Sequence, residues 1–170
     1  FTVCDFAGCA QVALRLMRKR FGKVGGLGHS EGGTIALMMA EQGMPDFIVT
    51  LAAMAASGKE TLMRQNRASM ASLGLSKGIL DTCCAVVQQA FEGLAEGKNV
   101  EQLSFDGVPA ELKPVFESSV KQCDTPYLRY LLNVDVSKSL DKVKCPVLAL
   151  NGTKDTQVDC ASNILVLESG

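Results

Sequence analysis

The chain has 170 residues, 47% of them hydrophobic, with 17 basic and 18 acidic side chains and a formal net charge of −1. That is enough apolar material for one well-buried domain. The charge balance argues against nucleic acid or an anionic membrane as a partner, and no apolar run approaches the ~20 residues a bilayer-spanning helix needs.

Asp5 to Arg20 places apolar residues (Phe6, Ala10, Ala13, Leu14, Met17) at helical spacing and ends in Arg18-Lys19-Arg20, which suits the negative end of a helix dipole. The basic run reads as a solvated helix end. The first residue is Phe1, so the start of the chain carries no information on targeting.

A short apolar run, Val24 to Leu27, leads into Gly28-His29-Ser30-Glu31-Gly32. The helix formers Thr34–Glu41 follow, closed by Gly43 and Pro45. The order predicts strand, sharp turn and helix, and G-x-S-x-G is the pattern that lifts a serine hydroxyl above a parallel sheet. Glycine on either side of the serine is expected because the turn leaves no room for a Cβ. Helix N–H groups left free beside Ser30 can receive an oxyanion. One feature departs from the pattern: Gly25-Gly26 falls where a strand favours β-branched residues. The same glycines do not make a dinucleotide fingerprint, because Glu31 stands where G-x-G-x-x-G requires the third glycine.

Phe47 to Met54 is a nearly continuous apolar run, predicting a strand buried on both faces of a parallel sheet. From Ser57 to about Val136 strand signals vanish. Lys59–Leu73 and Ser76–Ala95 read as helices, and Pro109–Lys121 and Pro126–Leu132 as shorter ones opened by proline. Met63, Met70, Cys83, Cys84 and Phe91 read as the core of this segment. Ser137–Val143 predicts a short helix, Cys145–Asn151 a buried strand, Gly152–Val158 a turn and Asp159–Leu167 a last helix. The whole predicts an α/β fold with a parallel sheet. Residues 1–56 and 137–170 form its core, and 57–136 is an all-helical insertion too long for an ordinary connection.

The seven cysteines are odd in number, irregularly spaced and free of any C-x-x-C. They read as free buried thiols of a reducing, cytoplasm-like compartment. With one histidine, His29, and no cysteine pair at ligand spacing, neither a metal nor a cofactor is expected.

Gly28-His29-Ser30-Glu31-Gly32-Gly33, the strand Phe47–Ala53 and Cys145-Pro-Val-Leu-Ala-Leu-Asn-Gly-Thr-Lys-Asp155 together resemble the α/β-hydrolase family. The likeness is to its prolyl-oligopeptidase-like and dienelactone-hydrolase-like serine esterase branch. The resemblance implies Ser30 as nucleophile and Asp155 as the acid that orients a histidine. It also implies the backbone N–H of Glu31 as half of an oxyanion hole. Asp155 also reads as plain turn chemistry, and Asp159 is the second choice of acid. The implied reaction is hydrolysis of a small-molecule ester or amide through an acyl-serine, with residues 57–136 as a lid.

The sequence departs from the family at the base, since no histidine follows Asp155 and His29 adjoins the serine. Without a base the hydroxyl is weakly nucleophilic. Two readings fit: an incomplete piece of a serine hydrolase, inactive alone, or a non-catalytic binding protein on the same scaffold. A truncated sheet would expose strand edges, so self-association is expected.

Overall fold

Three short parallel strands carry the molecule, and every connection between them lies outside the sheet. The structure, a computed structural model, describes all 170 residues. Strands β1 (Gly26–His29), β2 (Ile48–Leu51) and β3 (Val147–Leu150) lie in the order β1-β2-β3. His29 pairs with Leu51, and Leu51 with Leu150, so all three strands end at one edge. Helix α1 (Val3–Arg18) precedes the sheet, and α2 (Glu31–Glu41) joins β1 to β2. Helix α2 ends where Gly43 turns to φ +67°, the left-handed conformation that glycine adopts at no cost. Arg18 is not merely a solvated helix end. It donates to the Met44 carbonyl at 2.6 Å and pairs with Asp46 at 3.1 Å. The Val24 N–H, donating to Asp46 at 2.7 Å, chiefly holds that carboxyl below its usual range. The Gly25-Gly26 anomaly resolves in part: a Cβ on Gly25 would run into the Phe47 ring, whereas one on Gly26 would meet only ordinary contacts.

One face of the sheet is covered over β1 and β2, while Val147 at the start of β3 stays 40% exposed. Ile48 and Thr50 are buried, and Ile48 shares a core with Ala36, Leu37 and Ala40 of α2. The opposite face, expected to be buried, is partly bare: Leu27 is 72% exposed, Leu148 54% and Leu150 49%. Alternation puts these three on one side, while Val49 and Leu51 between them are half-buried. Parallel sheets are ordinarily covered on both faces. A bare apolar row between two unpaired strand edges favours pairing with another copy. The isolated 170 residues are therefore expected to self-associate, and a clean monomer by light scattering at micromolar concentration would contradict this.

Helices α3 (Gly58–Ala71), α4 (Lys77–Ala95), α5 (Lys113–Cys123) and α6 (Pro126–Asn133) form a separate layer between β2 and β3. Its twelve-residue core includes Met70, Cys83, Cys84 and Phe91, with Met63 packed at its margin. Helix α5 begins later than expected, with Pro114 rather than Pro109 in its first turn. Of the seven thiols only Cys83 and Cys84 are buried, and Cys4, Cys9 and Cys123 are exposed. Short 3-10 turns precede α5 (Val100–Gln102) and β3 (Val136–Lys142). Helix α7 (Cys160–Ser169) follows the loop after β3.

Candidate active site

Ser30 stands between β1 and α2 with φ 53° and ψ −120°. These are the angles of the first central position of a type II′ turn, a conformation that glycine dominates. Holding a side chain there costs on the order of 1–3 kcal/mol. Apart from glycines, only Ser30 and Ala52 have positive φ. Ala52, at φ 49°, lies at the same end of the neighbouring strand. Strain of this kind gathers where a fold sacrifices stability to aim a group. The turn is over-determined by its hydrogen bonds. The Ser30 N–H donates to Leu51 at 2.8 Å, and the Ser30 carbonyl accepts from Gly33 at 2.9 Å and Thr34 at 3.3 Å.

The glycines divide the work differently from the expectation. A Cβ on Gly28 would collide with the backbone of Gly32 and Gly33, so Gly28 is required. Gly32, the other flank of the pattern, has open space around it. The second tight position is Gly33, where a Cβ would approach that of Ala53 to 2.6 Å. Bare backbone there lets α2 pack closely on the end of β2.

Glu31 is the first residue of α2, so its N–H has no carbonyl one turn upstream to bond. Its free N–H and the positive end of the helix dipole stand next to Ser30, where negative charge is stabilised. His29 is exposed and shares its side of β1 with Leu27, opposite Gly28 and α2.

Asp155 lies five residues beyond β3 at the sheet edge that carries Ser30. The sheet places β1 and β3 two strand spacings apart, about 10 Å. The Asp155 Oδ1 accepts from the Gln157 N–H at 2.8 Å and the Val158 N–H at 3.0 Å. The carboxylate thus closes its own turn with one oxygen and leaves Oδ2 without a protein donor. Asp159, the second choice, is engaged elsewhere. It caps α7 by accepting from Ser162 N–H at 2.9 Å and pairs with Arg64 at 3.3 Å. The Ser162 hydroxyl, donating to the same carboxylate at 2.6 Å, and then the N–H hold its carboxyl below the usual range.

A residue the sequence did not single out ties these parts together. Asn163 of α7 is 2% exposed. Its Oδ1 accepts from the N–H groups of Ala55 at 2.9 Å and Ala56 at 3.3 Å. Its Nδ2 donates to the Ala53 carbonyl and to Asn151 Oδ1 at 3.3 Å. Asn151 in turn donates to the Val158 carbonyl at 3.2 Å. On the other side, Thr34 Oγ1 donates to the Met54 carbonyl at 3.2 Å and accepts from its N–H at 3.1 Å. A polar chain thus runs from the Ser30 helix through the loop after β2 to the Asp155 turn. Two apolar cavities, of about 240 Å³ beside α1 and about 280 Å³ inside the α3–α6 layer, are lined by neither Ser30 nor Asp155.

Residues 15–167 match the sequence model of the X-Pro dipeptidyl-peptidase (S15) family. The chain belongs to that family. No curated protein matches it. The S15 chain is similar in structure to a hydrolase from Pseudomonas aeruginosa PA01, with TM-score 0.53 and 16% identity. That match covers 99% of this chain and 60% of the other. It is also similar to an enol-lactonase from Burkholderia xenovorans LB400, with TM-score 0.51 and 14% identity, over 99% of this chain and 61% of that one. The fold of this S15 chain is accordingly a partial α/β-hydrolase fold. The chain spans about three-fifths of the length of these two neighbours.

Proposed function

We propose that this S15 chain carries the nucleophile half of a serine hydrolase acting on an ester or amide. The observation that carries the reading is Ser30, held in glycine's conformation at the sheet edge where α2 begins. The family supplies the amide precedent, since its name is that of a dipeptidyl-peptidase. The enol-lactonase neighbour supplies an ester one, its substrate being a lactone. Both reactions pass through attack on an acyl carbon.

In this reading Ser30 Oγ attacks the acyl carbon, forming the acyl-serine as the leaving group departs, and water then releases the acid. The Glu31 N–H donates to the oxyanion during both steps. Asp155, through its free Oδ2, orients the base and stabilises it once protonated. These 170 residues do not place that base, for His29 lies on the sheet face away from α2. They are therefore expected to be inactive alone. Residues 57–136 serve as a lid whose helix α6 bears on the Ser30 side of the molecule.

The test is covalent. A fluorophosphonate probe added to the natural polypeptide, at the length the cell makes it, is expected to label Ser30 by peptide mapping. Labelling is expected to vanish in Ser30→Ala. A folded natural polypeptide that takes no label at Ser30, and hydrolyses no short acyl ester, would leave the non-catalytic binding protein as the reading.

A further inference from the structure

The turn that carries Asp155 is held largely by itself. Residues 152–159 run from β3 to α7, and of them only Val158 is buried. Asp155 closes onto the N–H groups of Gln157 and Val158, Asn151 donates to the Val158 carbonyl, and Asp159 caps α7. The hydrogen bonds that reach these residues from outside 151–163 come from one element, helix α3. Gln65 Nε2 donates to the Gln157 carbonyl at 3.0 Å, and Arg64 Nη1 donates to Asp159 Oδ2 at 3.3 Å. Their partners lie 92 and 95 residues away in the chain.

Helix α3 is fixed well enough to serve as a support. Ser57 caps it by accepting from the Glu60 N–H at 3.2 Å. Thr61 is buried, and Leu62 packs against the small cluster of Val3, Met54, Leu131 and Val158. Gln65 follows these two by four and three residues, so it lies on the same side of the helix. Arg64 is steadied by Glu60, one turn back, at 2.8 Å. Arg64 and Asp159 are both about half exposed, and such a pair adds little to stability.

The Gln65 bond matters for what it holds. The Gln157 carbonyl and the Val158 N–H are the two ends of one planar peptide unit. The carbonyl end accepts from Gln65, and the N–H end donates to Asp155 Oδ1 at 3.0 Å. A short chain therefore runs from the Gln65 amide through one rigid plane to the carboxylate. Hydrogen bonds linked in this way polarise one another, so the donor that faces Asp155 is strengthened by the one behind it.

We propose that Gln65 is a positioning residue for Asp155, acting through the peptide unit between Gln157 and Val158. The inference rests on the reading of Asp155 as the acid. Strand pairing fixes where the turn begins, and Gln65 fixes the plane against which the carboxylate is set. The helical layer in this way takes part in the site without touching substrate there.

Gln65→Met tests this, because methionine keeps the length and helix propensity of glutamine and removes the donor. Amide exchange is followed by mass spectrometry on the natural polypeptide. The peptide covering residues 152–159 is expected to exchange several-fold faster in the variant, while peptides of α2 and α4 keep their rates. In an active natural polypeptide kcat on a short acyl ester should fall roughly tenfold with KM unchanged, short of the about 10²-fold that misplacing a reacting group can cost. Gln65→Lys, which restores an N–H donor, should recover both readouts. Unchanged exchange over 152–159, a rise in KM in place of the fall in kcat, or no recovery in Gln65→Lys overturns the proposal. A natural polypeptide whose Ser30 takes no fluorophosphonate would instead strike the reading of function, and the exchange rates of the three proteins would then decide the contact.

Discussion

Ser30→Gly should make the protein more stable and abolish its hydrolysis in the same step. The serine occupies φ 53°, ψ −120°, where a Cβ is strained and glycine is not. Relief of that strain is worth about 1 kcal/mol at the low end of the range for such residues. In a chain of this size it would raise Tm by about 2–4 °C. Removal of the hydroxyl removes the nucleophile proposed above, for an expected loss of turnover in the natural polypeptide of roughly 10³-fold or more. Ser30→Ala separates the two effects, because alanine retains the strained Cβ. It should lose turnover equally and gain no stability. Thermal melts of the three proteins with initial rates on a short acyl ester make the comparison. A Ser30→Gly protein that melts lower than the parent would mean that the serine side chain is held by contacts that outweigh its backbone strain.

Asn163→Ala should destabilise the fold on the order of 3 kcal/mol. Truncation strands the N–H groups of Ala55 and Ala56 and the Ala53 carbonyl in a buried place. Each buried group left unpaired costs about 1–3 kcal/mol, moderated where water enters the space. Asn163→Asp is no substitute, since it loses the Nδ2 donor and buries a charge. The midpoint of urea unfolding measures the effect. A change below about 0.5 kcal/mol, the ordinary range for surface positions, would show that the loop after β2 does not depend on this amide. The loss should also reach the site, because Asn163 and Asn151 link Ala53 to Val158, whose N–H bonds Asp155.

The parts of the fold legible in the sequence are those set by local chemistry. The alternation of strand, glycine turn and helix from Val24 to Glu41, and the terminal strand followed by Asp155, follow from residue type and order. The helical run from Ser57 onward was equally plain from its periodicity. What escaped depends on partners distant in sequence. Nothing near residue 163 marks that asparagine as a buried hub, because its four partners lie 12 to 110 residues away. The positive φ of Ala52 is likewise imposed by its place at the sheet edge, since alanine gives no warning of it. The motif's spacing points to Gly32, whereas the close approach that demands glycine is that of Ala53, in the loop after β2, on Gly33. A truncated sheet implies a bare apolar face, but no local signal says which residues form it. Leu27, Leu148 and Leu150 are the residues of a buried strand, and only the arrangement of the helices leaves them uncovered.

The helical layer leaves the sheet and returns to it at almost one point. The Gly58 N–H donates to the Val134 carbonyl at 2.7 Å, and the two backbones lie so close that a Cβ on Gly58 would strike the Leu131 carbonyl. Everything from α3 to α6 is therefore a closed excursion, pinched at its neck by one hydrogen bond. The span between β2 and β3, and with it the separation of Ser30 from Asp155, is set by strand pairing and not by the length of that excursion. Such an arrangement lets the excursion lengthen, shrink or be exchanged as a cassette while the spacing between Ser30 and Asp155 stays constant.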